Sequence, residues 1–142
     1  MIEQPFIIER VFDASIETVW KAITENELMK QWYFNLPEFK AEVGFKFSFT
    51  GGPSPEKQYV HLCEILEVIP SKKLKYTWDY QGYEGSSIVT FELFEEGLKT
   101  KIRLTHEGLE TFPRDNSDFA KENFEKGWTG IIGTSLKEFV EK

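Results

Sequence analysis

The sequence contains one cysteine and two histidines in 142 residues. A single thiol excludes an internal disulfide, and two imidazoles leave little material for metal or acid–base chemistry. His61 and Cys63 are two apart on a strand-like stretch and could share a face, as metal ligands do. His106 would lie three strand spacings from them, about 14 Å on a flat sheet. No metal site is therefore expected; Cys63 reads as a core or edge thiol, a Cys–His nucleophile pair being the alternative. Positive charge is also short: 17 Lys and Arg stand against 24 Asp and Glu, a net charge of −7 with a pI near 5.0. Such a surface repels polyphosphate and anionic lipid, so neither nucleic acid nor membrane insertion is expected. The start MIEQPFIIER has neither a basic nor an apolar leader-like region, so the expected location is cytoplasmic. There is no GxSxG, P-loop, dinucleotide GxGxxG or EF-hand pattern: Gly51-Gly52 runs into Pro53, and Gly82 to Gly85 reads as a hairpin turn. Hydrolase, kinase and dehydrogenase classes fall away, and no cofactor is implied. No repeat or low-complexity tract appears, and the length suits one domain over residues 1–142.

Aromatic residues, by contrast, are abundant at 15%, from 13 Phe, 5 Tyr and 4 Trp. Flat, rigid rings leave gaps more readily than Leu and Val, so a cavity is expected in the core. Pro5 to Phe12 reads as a first strand. Ser15 can cap a helix carrying Ile16, Val19, Trp20 and Ile23 at helical spacing, and a second short helix is expected over Glu27 to Trp32. Four runs then alternate apolar and polar residues: Phe45-Phe47-Phe49, Leu74-Tyr76-Trp78, Val89-Phe91-Leu93 and Ile102-Leu104. Turn residues separate them, and Gly51 to Pro55 reads as a loop, so an antiparallel meander is expected. Gln58 to Val68 is out of phase with itself, which a bulge near Leu62 would reconcile.

After Asp115-Asn116-Ser117 the pattern is helical to the end, with Phe124, Trp128, Ile131, Ile132, Ser135, Leu136 and Phe139 within one arc. Gly127, Gly130 and Gly133 fall largely outside that arc, and three helical glycines cost about 2 to 3 kcal/mol against alanine. Either the apolar face secures the helix despite them, or the helix bends near Gly127 to admit a ligand. Alternating strands with one dry face, covered by one long helix, define an α+β helix-grip fold: a curved antiparallel sheet around the C-terminal helix.

The runs ASIETVWKAIT (Ala14 to Thr24), MKQWY (Met29 to Tyr33), CEILEVIPSKKLKYTW (Cys63 to Trp78), LTHEGL (Leu104 to Leu109) and GWTGIIGTSLKEFV (Gly127 to Val140) resemble the START-like (SRPBCC) superfamily. More narrowly, they resemble its branch related to the C-terminal domain of the activator of heat-shock-protein-90 ATPase. The resemblance implies a hydrophobic ligand held in the groove under the last helix, an architecture shared with polyketide cyclases and lipid-transfer domains. It also implies a chaperone contact. The eukaryotic activator engages the chaperone through a separate N-terminal domain, for which a chain whose first strand begins by Phe6 leaves no space, so ATPase stimulation is not expected and any chaperone contact would be weak.

The functional expectation is non-catalytic binding of a small hydrophobic or aromatic molecule, by a monomer or weak homodimer. Trp32, Phe47, Phe49, Trp78, Phe91, Leu104, His106, Trp128 and Ile132 are the candidate pocket residues. His106 supplies either a polar tip for the ligand or, in a cyclase/aromatase-like alternative, a general acid–base. It would otherwise be a loop histidine bonded to backbone. Glu64 or Glu67, if inward, would mark a ligand group or a network. Lys73, Lys75, Lys99, Lys101 and Arg103 fall on wet strand faces that also carry Glu92, where cross-strand ion pairs explain them.

Overall fold

The computed structural model describes residues 4–33, 36, 38–113 and 115–142. Strand β1 (Phe6–Phe12) is followed by α1 (Ile16–Thr24) and α2 (Asn26–Met29), then by β2 (Lys46–Ser54), β3 (Lys57–Ile69), β4 (Lys73–Tyr80), β5 (Ser87–Glu96) and β6 (Lys99–Glu107). All neighbours pair antiparallel in one six-stranded sheet of order β1-β6-β5-β4-β3-β2. The expected alternation orients the sheet: Leu74, Tyr76, Trp78 and Tyr80 of β4 are buried on one face, while Lys73, Lys75, Thr77 and Asp79 lie half-buried on the other.

Several boundaries differ from the sequence expectation. In β3 a single phase, His61-Cys63-Ile65, points inward, and Leu62 lies outward and exposed. The irregularity falls later: Ile65 pairs with Tyr76 and Glu67 with Lys75, which leaves Leu66 as the extra residue. Glu64 is therefore outward, and the Glu67 carboxylate meets Lys73 Nζ at 3.1 Å. β2 continues through Gly51 and Gly52, read above as a loop. A Cβ at Gly52 would stand 1.8 Å from the Lys57 carbonyl oxygen, a close approach that only glycine permits. The second helix stops at Met29, and Trp32 follows it to donate its indole N–H to the Ala22 carbonyl at 2.8 Å, tying that segment to α1. Ser15 caps α1 as expected, its hydroxyl accepting from the Thr18 N–H at 3.2 Å.

The C-terminal helix begins at Lys121, because Asn116 caps a separate 3-10 turn over Ser117–Phe119 instead. It runs as α3 (Lys121–Gly130), a π-helical segment (Ile131–Leu136) and α4 (Lys137–Val140). Phe124, Trp128, Ile132, Leu136 and Val140, each four residues on, are all buried. In an α-helix a four-residue step overshoots one turn by about 40°, so the last of these would face away from the first. The wider π turn takes up that drift and keeps the row over the sheet. Ser135, which regular α geometry places in the buried arc, is exposed as a result, and Val140 is buried. The departure from α geometry follows Gly130 rather than falling at Gly127.

On the outer face Arg103 stands in register between Glu9 of β1 and Glu92 of β5, with Nε–O 2.5 Å and Nη1–O 4.0 Å respectively. Lys101 lies 3.8 Å from Glu96. Of the strand-face cations, Lys73, Lys101 and Arg103 are thus each matched with a carboxylate of a neighbouring strand. No helix among the described residues is long and apolar enough to cross a membrane.

Candidate functional site

Where α3 crosses β2, β3 and β4, the aromatic residues leave a cavity of about 310 Å³. The sheet contributes Tyr59 and His61 of β3, Trp78 and Tyr80 of β4, and the glycine pair Gly51-Gly52; the helical side contributes Phe119, Asn123, Phe124, Gly127, Trp128 and Ile131, with Asp118 at the 3-10 turn. His61 and Tyr80 face each other in the β3–β4 register, and their ring centroids lie 4.8 Å apart. Rings meet mostly edge-on or tilted around the wall: Trp78 to Trp128 at 5.4 Å, Tyr59 to Phe119 at 5.1 Å, Tyr80 to Phe119 at 4.6 Å. Such contacts satisfy the ring quadrupoles without filling the corners between rings.

Most polar groups of the wall are engaged inside the protein. The Trp128 indole donates to His106 Nδ1 at 3.0 Å, which requires the His106 proton on Nε2; that N–H donates to Ser87 Oγ at 2.8 Å, and the Ser87 hydroxyl donates to the Trp78 carbonyl at 2.6 Å. This chain runs from α3 through β6 and β5 to β4. Burial drives the His106 pKa down to about 3, with His61 adding a smaller repulsion, so the ring is neutral. Protonation would also set a second N–H against the Trp128 N–H. His61 donates from Nδ1 to the carbonyls of Tyr59 at 3.1 Å and Phe49 at 3.3 Å, and burial lowers its pKa to about 4 against these two bonds. Trp78 donates its indole N–H to the Tyr80 hydroxyl oxygen at 2.9 Å.

At the rim the Tyr59 hydroxyl donates to Asp118 Oδ2 at 2.5 Å, which raises the phenol's pKa. Lys57 Nζ stands 3.7 Å from the same carboxylate. Deeper in the core, the Tyr33 and Tyr76 hydroxyls bond each other at 2.7 Å, and burial pushes up the pKa of both phenols and of the Cys63 thiol. A thiol so raised is not a nucleophile at neutral pH. Among the described residues no three of His, Cys, Asp and Glu converge as metal ligands.

Of the candidate pocket residues, the structure brings Trp78 and Trp128 to the cavity wall. Phe49 pairs with His61 across β2 and β3, its ring stacked on His61 at 4.4 Å, and does not line the cavity. His106 backs Trp128 from its place in β6, bonded to side chains rather than to loop backbone. Phe91 touches Trp128 at 6.1 Å, Phe47 packs on Tyr76 at 5.2 Å, and Leu104 and Ile132 are wholly buried. Trp32 is held at α1. Tyr80 could have been read from the sequence as the next inward position after Trp78, and Phe124 and Ile131 from the helical arc. Tyr59 and Asp118 are 59 residues apart and carry no local signal of their pairing.

The architecture is that of a helix-grip protein with an aromatic cavity between sheet and final helix. The family described as activator of Hsp90 ATPase homolog 1-like protein matches residues 13–141, and the chain belongs to that family. Among solved structures it is similar to protein CV1439 from Chromobacterium violaceum, with TM-score 0.83 and 21% identity over 98% of each chain. It is similar also to protein BH1534 from Bacillus halodurans, with TM-score 0.76 and 29% identity over 99% of this chain and 100% of that one. A third is the Aha1 dimer from Colwellia psychrerythraea, with TM-score 0.74 and 20% identity over 98% of this chain and 97% of that one. Among curated proteins none matches this chain in sequence.

Proposed function

We propose that this protein binds a small, flat hydrophobic molecule in the cavity between β2–β4 and α3, without turning it over. The observation that carries this reading is the cavity itself: about 310 Å³, walled by aromatic rings, at the small end of the roughly 300–1,000 Å³ typical of ligand pockets. A general acid–base works best with a pKa near the operating pH. Both histidines are held far below that, and both nitrogens of His106 are engaged inside the protein. This commitment weighs against the cyclase-like alternative, which assigned proton transfer to His106. A chaperone contact is a separate proposal that rests on family membership; the matched ion pairs of the outer sheet face favour at most a weak, salt-sensitive one.

Trp78 and Trp128 supply the test, because both line the cavity. Titration of tryptophan fluorescence with a panel of two- and three-ring aromatics should give a saturable change for at least one compound. A Cβ at Gly127 meets nothing within 4 Å, and Gly127 lines the cavity, so Gly127→Leu should fold normally, occupy the space and weaken that binding at least about ten-fold. A flat response of the wild-type protein across the panel would remove the binding reading.

A further inference from the structure

The donors and acceptors of the cavity wall are unevenly used, and the imbalance bears on the chemistry of the ligand. Both indole N–H groups are taken: Trp128 by His106 at 3.0 Å and Trp78 by the Tyr80 hydroxyl oxygen at 2.9 Å. The Tyr59 hydroxyl proton goes to Asp118. Tyr80 is the exception. Its oxygen accepts from Trp78, which leaves its own proton to be donated, and among the described residues that proton has no acceptor. The residue is 7% exposed and lines the cavity, and the bond to Trp78 holds the hydroxyl against another wall ring. Burial raises the phenol's pKa, so the proton stays on across the physiological range. A buried hydroxyl with an unmet donor carries a desolvation cost that a ligand acceptor would relieve.

Resting on the binding reading above, we infer that Tyr80 is a specificity residue, donating its hydroxyl proton to an oxygen acceptor, a ring carbonyl or ether, on an otherwise apolar planar ligand. The Trp78 N–H bonded to the same oxygen polarises the hydroxyl and strengthens it as a donor. A purely hydrocarbon ligand would fill the cavity but leave the donor unmet. A ligand presenting an N–H or O–H donor alone at this point would gain nothing from it.

A matched pair of probes tests this: fluorenone and fluorene, flat three-ring molecules that differ in C=O against CH₂. Each is titrated against the wild-type protein and Tyr80→Phe, with the carbonyl stretch of bound fluorenone recorded by infrared difference spectroscopy. The wild-type protein should bind fluorenone about ten-fold more tightly than fluorene, the scale of one buried hydrogen bond. The bound carbonyl stretch should be lowered from its value in hydrocarbon solvent. In Tyr80→Phe the preference should shrink to within about two-fold, with fluorene affinity little changed. Equal wild-type affinities, an unshifted carbonyl stretch, or a preference that survives Tyr80→Phe would each overturn the assignment while leaving the cavity reading in place. The first two need no variant and decide the matter even if Tyr80→Phe does not fold. Binding of neither probe counts against the cavity reading, and the Tyr80 assignment falls with it.

Discussion

Two parts of the same core are built from different materials. Beneath β5 and β6, where α1 packs with α4 beside it, the interior is mainly aliphatic: Val19, Ile23, Ile102 and Leu136 are exposed by 1% or less. Between β2, β3, β4 and α3 it is aromatic, and there a cavity of about 310 Å³ remains. Branched aliphatic groups interdigitate to crystal-like density, whereas rings that meet edge-on or tilted at 5 to 6 Å leave wedges that no neighbour fills. The glycines accentuate the contrast. Gly127 withholds a side chain at the wall, with nothing within 4 Å of where its Cβ would stand, while a Cβ at Gly133 would touch Arg10 Nε at 3.5 Å. The border between the parts is the chain from Trp128 through His106 and Ser87 to the Trp78 carbonyl.

Acid should produce the largest effect, acting at the cavity wall through His61 and at the border through His106. His106 and His61 have folded pKa values of about 3 and about 4, below the ordinary 6.5 of the unfolded chain. The unfolded state therefore takes up these protons first. The histidine contribution to stability is complete above about pH 6.5 and is lost as pH falls toward 4 and then 3, by up to about 1.4 kcal/mol per pH unit per histidine. Urea unfolding at successive pH values should show this loss, less steeply in His61→Gln. NMR titration of the imidazole protons separates the two sites: His61 titrating near its ordinary value would mean that the cavity wall is wet and no drier than the protein surface.

Truncation measures the packing difference directly. Ile102→Ala, in the closed part, should cost about 3 kcal/mol, and Ile131→Ala, half-buried at the cavity, about 1 kcal/mol, since the second site has fewer contacts to lose. Equal losses by thermal unfolding would show that the aromatic part is as tightly packed as the other. At the border, Ser87→Ala removes the hydroxyl that accepts the His106 N–H and donates to the Trp78 carbonyl, and should cost about 1 to 3 kcal/mol. Its amide exchange should rise in β4 and α3 together, the two ends of the chain. The smallest effect is a gain: Gly127→Ala should raise stability by about 1 kcal/mol, because helix propensity improves and the new methyl meets only open space. A loss there would mean that this wall is already closed in solution.

The fold was legible because one-sided alternation in Leu74-Tyr76-Trp78 and its neighbours admits few alternatives once a single long helix must cover the dry face. Register was less so. The placement of the β3 irregularity at Leu66 rather than Leu62 depends on which residues β4 presents opposite, and the continuation of β2 through Gly51 and Gly52 depends on the return of β3 against it. Neither partner is visible within the local run. The same limit governed the candidate site: Trp78 and Trp128 follow from facing positions on strand and helix, whereas Phe47, Phe91 and Leu104 share their periodicity and lie elsewhere in the core.

The antiparallel sheet, the covering helix, the aromatic excess and the placement of charge on the outer strand faces follow from periodicity and composition, and the sequence determined them. The tertiary structure alone decided where the aromatic core stays open, because a void is set by how rings from distant segments tilt against one another. It also decided the protonation of His106 and His61 and left Tyr80 with a proton to donate. Those are properties of hydrogen-bond partners that the chain brings together only on folding, and no local pattern encodes them.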